Sequence, residues 1–362
     1  MSEIKVNSIK GVGASTAAIT INNSDGTCTA NFTNRTNKNL YINGACLVNQ
    51  RGSSSTSEGY QTIDRFYVGS GGTNEAPTQA QVDVASGTTP YTLGFRKALK
   101  ITNGNQTGGA GTADFMYLKH TFEAQDIANS GWNYLSSSSN VTLSFWVKSS
   151  VAQSFKAYFH TRQGTEYQYP FETGSLSADT WTKVTKTISG NSNLTFNSDN
   201  GLGLELYIWS FLGTDYTASS VTEDAWSTYA NAARTKDATS TWYTTNDATL
   251  EMTGFQLEVS DHATDFEHRS FAQELVLCER YYEVCEGGMS VYGTSGTYHG
   301  ASTQFSTKKR AAPTVTRLSD TLSSGANTPA ADNVTTRAFR ALAQSNAAFL
   351  QFQTVYSADC EL

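Results

Sequence analysis

Val141-Thr142-Leu143-Ser144-Phe145-Trp146-Val147 sets apolar side chains on alternate positions, with Thr142 and Ser144 between them and Trp146 on the second face. A two-residue apolar period is that of a half-buried β-strand. The same period continues downstream, where Phe155, Ala157 and Phe159 alternate with Lys156, Tyr158 and His160. Leu202, Leu204, Leu206 and Ile208 line one face of a later segment, and Tyr207, Trp209 and Phe211 line the other. A strand apolar on both sides belongs at the centre of a sheet covered on both faces. From Leu250 to Val259 the apolar phase slips, and Gly254 at the slip predicts a β-bulge. Residues 46–268 therefore read as an antiparallel β-sandwich in an all-β chain.

Composition agrees with that reading. The 362 residues are 38% hydrophobic, 12% aromatic and only 16% charged. Ordinary domains carry about 25% charge, so Ser, Thr, Asn and Gly must make this surface polar. The length suggests two or three units. A net charge of -7 argues against a nucleic-acid binder, which presents a basic face. No apolar run reaches the roughly 18 residues that a membrane span requires, so no membrane insertion is expected. Met1 to Asn7 contains no apolar stretch of signal-peptide type. Cys28, Cys46, Cys278, Cys285 and Cys360 are odd in number and widely spaced, without a C-x-x-C pair. They read as thiols of a protein folded in a reducing cytosol, not as zinc ligands.

Around the sandwich, three further parts can be drawn. Residues 1–45 carry short β-prone pieces, Ala18 to Ile21, Cys28 to Phe32 and Leu40 to Ile42, with an Asp25-Gly26 turn signal. They are read as an attachment or oligomerisation segment. Residues 269–286 hold the one convincing helix. Ser270 and Gln273 form a capping box, and Phe271, Leu275, Cys278 and Tyr282 make one apolar face, with Gly287-Gly288 as the stop. Residues 287–362 return to β segments, including Thr314 to Leu318 and Phe349 to Tyr356. Two long loops are expected, from Gly69 to Thr89 and from Thr214 to Asp247. Loops of such length are commonly functional.

Chemical signatures are sparse. The sequence lacks a phosphate-binding glycine loop, an H-E-x-x-H zinc helix, a nucleophile elbow and a calcium loop. Asp261-His262-Ala263-Thr264-Asp265-Phe266-Glu267-His268 concentrates histidines and carboxylates, but that spacing puts no full ligand set on one face. It reads as a polar strand end leading into the helix. Glu166, Glu172, Asp179, Glu205 and Glu251 are read as solvated carboxylates, not as a glycosidase pair. No catalytic residue, metal site or cofactor is assigned. Trp146, Trp181 and Trp209 fall in strand patterns and are read as core. Trp226, Trp242, Tyr243 and Tyr216 fall in the long loop, where an aromatic face can stack on a sugar ring. These four are the candidate glycan-binding residues.

Several stretches resemble one family. Val141-Thr-Leu-Ser-Phe-Trp-Val-Lys-Ser, Gly254-Phe-Gln-Leu-Glu-Val, Ala263-Thr-Asp-Phe-Glu-His-Arg-Ser and Leu277-Cys-Glu-Arg-Tyr-Tyr are similar to tail-fibre and related appendage proteins of bacteriophages, especially marine phages. The opening Met1-Ser-Glu-Ile-Lys-Val-Asn-Ser-Ile and the closing Tyr356-Ser-Ala-Asp-Cys-Glu-Leu resemble the same group. The resemblance implies a jelly roll like that of carbohydrate-binding modules, and a homotrimer. It implies a virion protein assembled in the host cytoplasm, attached to tail or neck proteins and contacting host surface glycan. The expectation is a non-enzymatic tail-fibre-like appendage. A virion connector or decoration protein without a receptor is the alternative, and a polysaccharide-degrading tailspike stands third.

Overall fold

A computed structural model describes residues 6–10, 12, 19–21, 24, 28–30 and 37–362. Strands β1 (Ser8–Ile9), β2 (Ile19–Ile21) and β3 (Cys28–Ala30) pair in an antiparallel three-stranded sheet. The Asp25-Gly26 turn and the end of the 28–32 segment lie outside the described residues.

The sandwich follows. Its elements are β4 (Ser54–Ser55), β5 (Tyr67–Gly71), β6 (Thr78–Asp83), helix α1 (Thr89–Thr92), β7 (Lys97–Thr102), β8 (Phe115–Glu123) and helix α2 (Ala124–Ala128). Next come β9 (Asn140–Ser149), β10 (Lys156–Thr161), β11 (Tyr167–Glu172), β12 (Thr182–Ser189) and β13 (Leu202–Leu212). The last are β14 (Ser227–Thr228), helix α3 (Thr241–Thr244) and β15 (Thr249–Glu258). One six-stranded sheet runs β14-β11-β10-β13-β8-β5 and the other β12-β9-β15-β7-β6-β4, with antiparallel pairing throughout. The chain is thus an all-β sandwich of jelly-roll type.

Alternation explains the core. Val141, Leu143, Phe145 and Val147 of β9 share one buried cluster with Phe155, just before β10, with Ala157 and Phe159 of β10, and with Leu204, Leu206 and Ile208 of β13. The bulge expected at Gly254 is present as a register break between Thr253 and Gln256. Gly254 has φ +68°, and an added Cβ would come within 2.7 Å of the Phe95 ring, so only glycine sits there without strain.

Several expectations change. The first presumed loop, 69–89, is interrupted by strand, because β5 reaches Gly71 and β6 spans Thr78–Asp83. Leu40 to Ile42 is not a strand. Instead the Leu40 N–H donates to Leu257 O at 2.8 Å, and Tyr41 is fully buried, stacked on Phe255 at 5.0 Å. Residues 37–45, expected to belong to the preceding segment, therefore pack within the sandwich. Trp146 and Trp181 are half-buried on the outside of the second sheet, beside Phe95, not in the inter-sheet core.

Helix α4 (Phe271–Glu279) carries the expected capping box, with Ser270 Oγ accepting from Gln273 N. Its buried side chains are Glu274 and Cys278, while Phe271 is exposed. The inward Glu274 carboxylate accepts from the Asn43 backbone N–H and pairs with Arg269 at 3.5 Å, so a polar anchor joins the expected face, of which Cys278 and Tyr282 are buried and Phe271 is not. Gly287 and Gly288 do not end the helix. They lie within β16 (Tyr282–Tyr292), where a Cβ on Gly288 would meet Phe352 O at 2.3 Å.

The C-terminal unit adds β17 (Tyr298–Gln304), β18 (Thr314–Ser324), β19 (Ala330–Asp332), β20 (Ala338–Gln344) and β21 (Phe349–Asp359). Its two sheets, β16-β21-β18 and β17-β20-β19, enclose Phe305, Phe339, Leu350, Phe352 and Tyr356. Arginines bind this unit to the sandwich. Arg65, buried over the Tyr281 ring at 3.5 Å, pairs with Glu361. Arg51 reaches Asp64, Asp359 and Glu361 at 3.5, 3.2 and 3.3 Å, and Arg280 holds Glu123 at 2.7 Å.

His120 points into the sandwich core, stacked on Tyr41 at 3.6 Å. Burial first, then the Arg65 charge, pushes its imidazole well below the ordinary value. Below about pH 6.5 an unfolded histidine binds a proton that the folded one refuses, so stability is lost as pH falls through that value. A His120→Leu variant should lose less stability than the parent between pH 7 and pH 5.5, by up to about 1 kcal/mol. Urea titrations at the two pH values check this, and identical pH dependence would contradict it.

Candidate functional site

Side chains of the first sheet that point away from the core form an aromatic surface. Register sets Tyr158 beside Tyr207, Tyr207 beside Lys119, and Lys119 beside Tyr67. The next row sets Lys156 beside Trp209 and Trp209 beside Tyr117. The rings lie in series: Tyr158 stacks on Tyr207 at 5.0 Å, Tyr207 on Trp209 at 5.6 Å, and Tyr117 on Tyr67 at 6.0 Å. Phe115 continues the row beyond Tyr117 at 6.0 Å. Trp209 and Tyr158 form a buried floor, and Tyr67, Phe115, Tyr117 and Tyr207 are half-exposed upon it.

Two glycines make this possible. Gly69 and Gly71 of β5 stand opposite Tyr117 and Phe115. A Cβ on either would come within 2.5 Å of the facing ring, so the bare backbone lets both rings lie across the neighbouring strand.

Charged groups rim one end. Glu205, buried beside the rings, accepts from Lys119 at 3.2 Å and Tyr207 Oη at 3.3 Å. His160 Nε2 lies 2.9 Å from Glu166, and its ring stacks on Tyr229 at 4.1 Å. Burial, followed by the Arg162 charge, holds the His160 imidazole below its ordinary value. Burial and the Glu205 charge raise the Tyr207 phenol far above its own. Both are therefore uncharged hydrogen-bonding groups near neutrality.

The long loop folds over the opposite edge. Arg234 N donates to Tyr216 O at 2.8 Å and Gln168 Nε2 donates to Ala233 O at 2.7 Å. This brings Tyr216 against Phe115 at 6.0 Å. Of the four residues singled out in the sequence, only Tyr216 reaches the surface. Trp242 and Tyr243 are fully buried in the inter-sheet core, where Tyr243 stacks on Phe211 at 4.4 Å. Trp226 is half-buried at the core edge against Tyr169, its Nε1 donating to Ser189 O at 2.8 Å. Neither Trp242 nor Tyr243 offers a ring to a ligand. Phe211 also departs from expectation: a register break between Trp209 and Phe211 turns it inward while Trp209 stays outward.

Tyr67, Phe115, Tyr117 and Lys119 were not singled out. The signal was there in Phe115-Met116-Tyr117-Leu118-Lys119, which alternates core residues with aromatic and basic ones. Among the expected solvated carboxylates, Glu205 is buried. In the 261–268 cluster, Asp261 pairs with the exposed His262 at 2.6 Å, whereas Glu267 accepts from Asn39 N at 2.8 Å and His268 Nε2 lies 2.9 Å from Leu93 O. Among the described residues no group of His, Cys, Asp and Glu is placed to hold a metal ion. No described helix is long and apolar enough to cross a membrane.

No protein-family model and no curated protein matches this chain. Among solved structures it is similar to the enzymatically active domain of tailspike protein 4 of bacteriophage CBA120, at 8% identity and a TM-score of 0.33. That match covers 61% of this chain but 21% of the tailspike chain. It is also similar to the family 11 carbohydrate-binding module of Clostridium thermocellum, solved with a β-1,3-1,4-mixed-linked tetrasaccharide. There identity is 8% and the TM-score 0.27, over 60% of this chain and 98% of that one. Both likenesses are remote, and the sandwich is read from its own two sheets.

Proposed function

We propose that this protein is a non-enzymatic, glycan-binding appendage of a bacteriophage virion, and that the aromatic sheet face is its binding surface. The observation that carries the glycan reading is the row Tyr67, Phe115, Tyr117, Tyr207 on a floor of Trp209 and Tyr158. A contiguous row of partly accessible rings on the outer face of a sheet, beside polar groups, suits a binding surface. Flat rings suit the apolar faces of pyranose rings, while Lys119, Arg162 and Glu166, the accessible charged groups of the rim, supply donors and acceptors for hydroxyls. The virion role is supported by the tail-fibre resemblance and the uncharged polar composition. Its location, on the particle after assembly in the host cytoplasm, and its tail or neck partners belong to the same proposal.

Tyr117→Ala and Tyr207→Ala are each expected to weaken binding to host surface polysaccharide by about 1–2 kcal/mol, a factor of about five to thirty. Affinity electrophoresis alongside a melting control measures this. Unchanged binding in a folded double variant would remove the surface from the proposal, and no binding to any host glycan would favour the connector reading. Reducing-sugar release would contradict the non-enzymatic assignment.

A homotrimer is proposed as well. It is supported by exposed apolar side chains outside the sandwich, Ile9 and Val12 in the N-terminal segment and Tyr292, Tyr298 and Leu318 in the C-terminal unit. Three copies would convert weak single-site contacts into avidity. Native mass spectrometry reads the state, and a stable monomer would contradict it.

A further inference from the structure

The charge balance of the aromatic face singles out one residue. Lys119, Lys156, Arg162 and Lys236 each have a glutamate carboxylate, at 3.2, 2.9, 3.5 and 3.7 Å. Arg234 has no carboxylate partner among the described residues. Its guanidinium lies 4.6 Å from the Tyr216 ring centroid and 5.6 Å from that of Trp209, with the Asn231 side-chain oxygen accepting from one terminal nitrogen. Its Nε is buried without a hydrogen-bond partner. The same holds for Nε1 of Trp209, a residue 1% exposed.

Guanidinium and indole N–H groups donate and never accept. A buried donor without a partner costs about 1–3 kcal/mol, so a cation with one such donor of its own, beside a second on Trp209, asks for a ligand rich in acceptors. A carboxylate answers best, since it offers paired oxygens to the guanidinium fork and neutralises its charge. The backbone of Arg234 is fixed by hydrogen bonds to its neighbours, including Ala218 N to Thr235 O at 3.0 Å, which leaves the side chain to move off the Trp209 ring.

We infer that the face takes an acidic glycan, with a sugar carboxylate on Arg234 and neighbouring pyranose rings on Tyr207 and Tyr117. This rests on the glycan-binding reading above and names its ligand class. The net charge of -7 opposes a polyanion at long range. However, salt screens exposed charges beyond about 10 Å at 0.1 M, so contact chemistry decides.

The test uses the full chain with alginate, polygalacturonate and polysialic acid, each beside its carboxyl-reduced form, in isothermal titration calorimetry. At least one acidic polymer should bind tenfold or more tightly than its reduced form, and the preference should shrink as NaCl rises. Arg234→Gln should erase the preference without changing affinity for the reduced form, and Arg234→Lys should keep part of it. Equal affinity for both forms, or a preference surviving in Arg234→Gln, would overturn acid selectivity while leaving glycan binding intact. Binding to none of the six polymers would overturn the acidic ligand class, while the glycan reading itself falls only if host surface polysaccharide also fails to bind.

Discussion

Replacing Trp242 with alanine is expected to destabilise the sandwich by about 3–5 kcal/mol. The indole is 0% exposed, its Nε1 donates to Thr249 O at 3.0 Å, and its backbone N–H donates to Gln153 Oε1 at 2.9 Å. Truncation opens a cavity beside Phe155 and removes one of the two donors to the Thr249 carbonyl, leaving it the Ser150 N–H at 3.0 Å. In a sandwich of this size each kcal/mol moves the melting temperature by roughly 2–4 °C, so a fall of about 10 °C is expected. Tyr117→Ala, by contrast, removes a half-exposed ring and should melt near the parent while binding less. A Trp242→Ala protein that melts like the parent but loses glycan binding would mean that the indole faces the ligand.

Glu361→Ala is expected to cost a comparable amount, about 3–5 kcal/mol, by stranding a buried cation. Arg65 is 1% exposed and lies beneath Tyr281 with one nitrogen on Thr121 O at 2.5 Å. Without Glu361 its charge has no carboxylate in contact. Because a buried pair contributes little net stability over an apolar substitute, the double variant Arg65→Met, Glu361→Leu should recover most of the loss. Hydrogen exchange in β16 and β21 reads this directly, since Glu361 follows β21 and Tyr281 precedes β16. Protection unchanged in Glu361→Ala would contradict a role for the pair in holding the two units together.

The strands that decide the architecture were readable because their faces differ. Val141 to Val147 and Phe155 to Phe159 alternate without interruption, and Gly254 marks its own bulge through a positive φ. The second bulge, at Ser210, was not readable. No glycine marks it, so Trp209 and Phe211 share parity in the sequence yet face opposite sides of the sheet. Trp242 and Tyr243 were misplaced for a related reason. A loop that turns back into a core through one helical turn, Thr241–Thr244, has too few residues to show a period. The helix face was legible at Cys278 and Tyr282, both buried, but not at Phe271 or Glu274, because burial of Glu274 depends on the distant Asn43 amide and on Arg269, which no local pattern records. The aromatic face was half visible. Tyr207 and Trp209 stood out as a second apolar face, but joining them to Tyr117 and Tyr67 requires the β13-β8-β5 order, which pairing alone determines.

The binding face can be read most directly by hydroxyl-radical footprinting of the intact protein with and without a host surface polysaccharide that it binds. Protection is expected at Tyr67, Phe115, Tyr117 and Tyr207, with Tyr292 and Tyr298 of the C-terminal unit unchanged. Protection confined to the C-terminal unit, or to the groove between residues 37–42 and the α4 helix, would contradict a glycan site on the sheet.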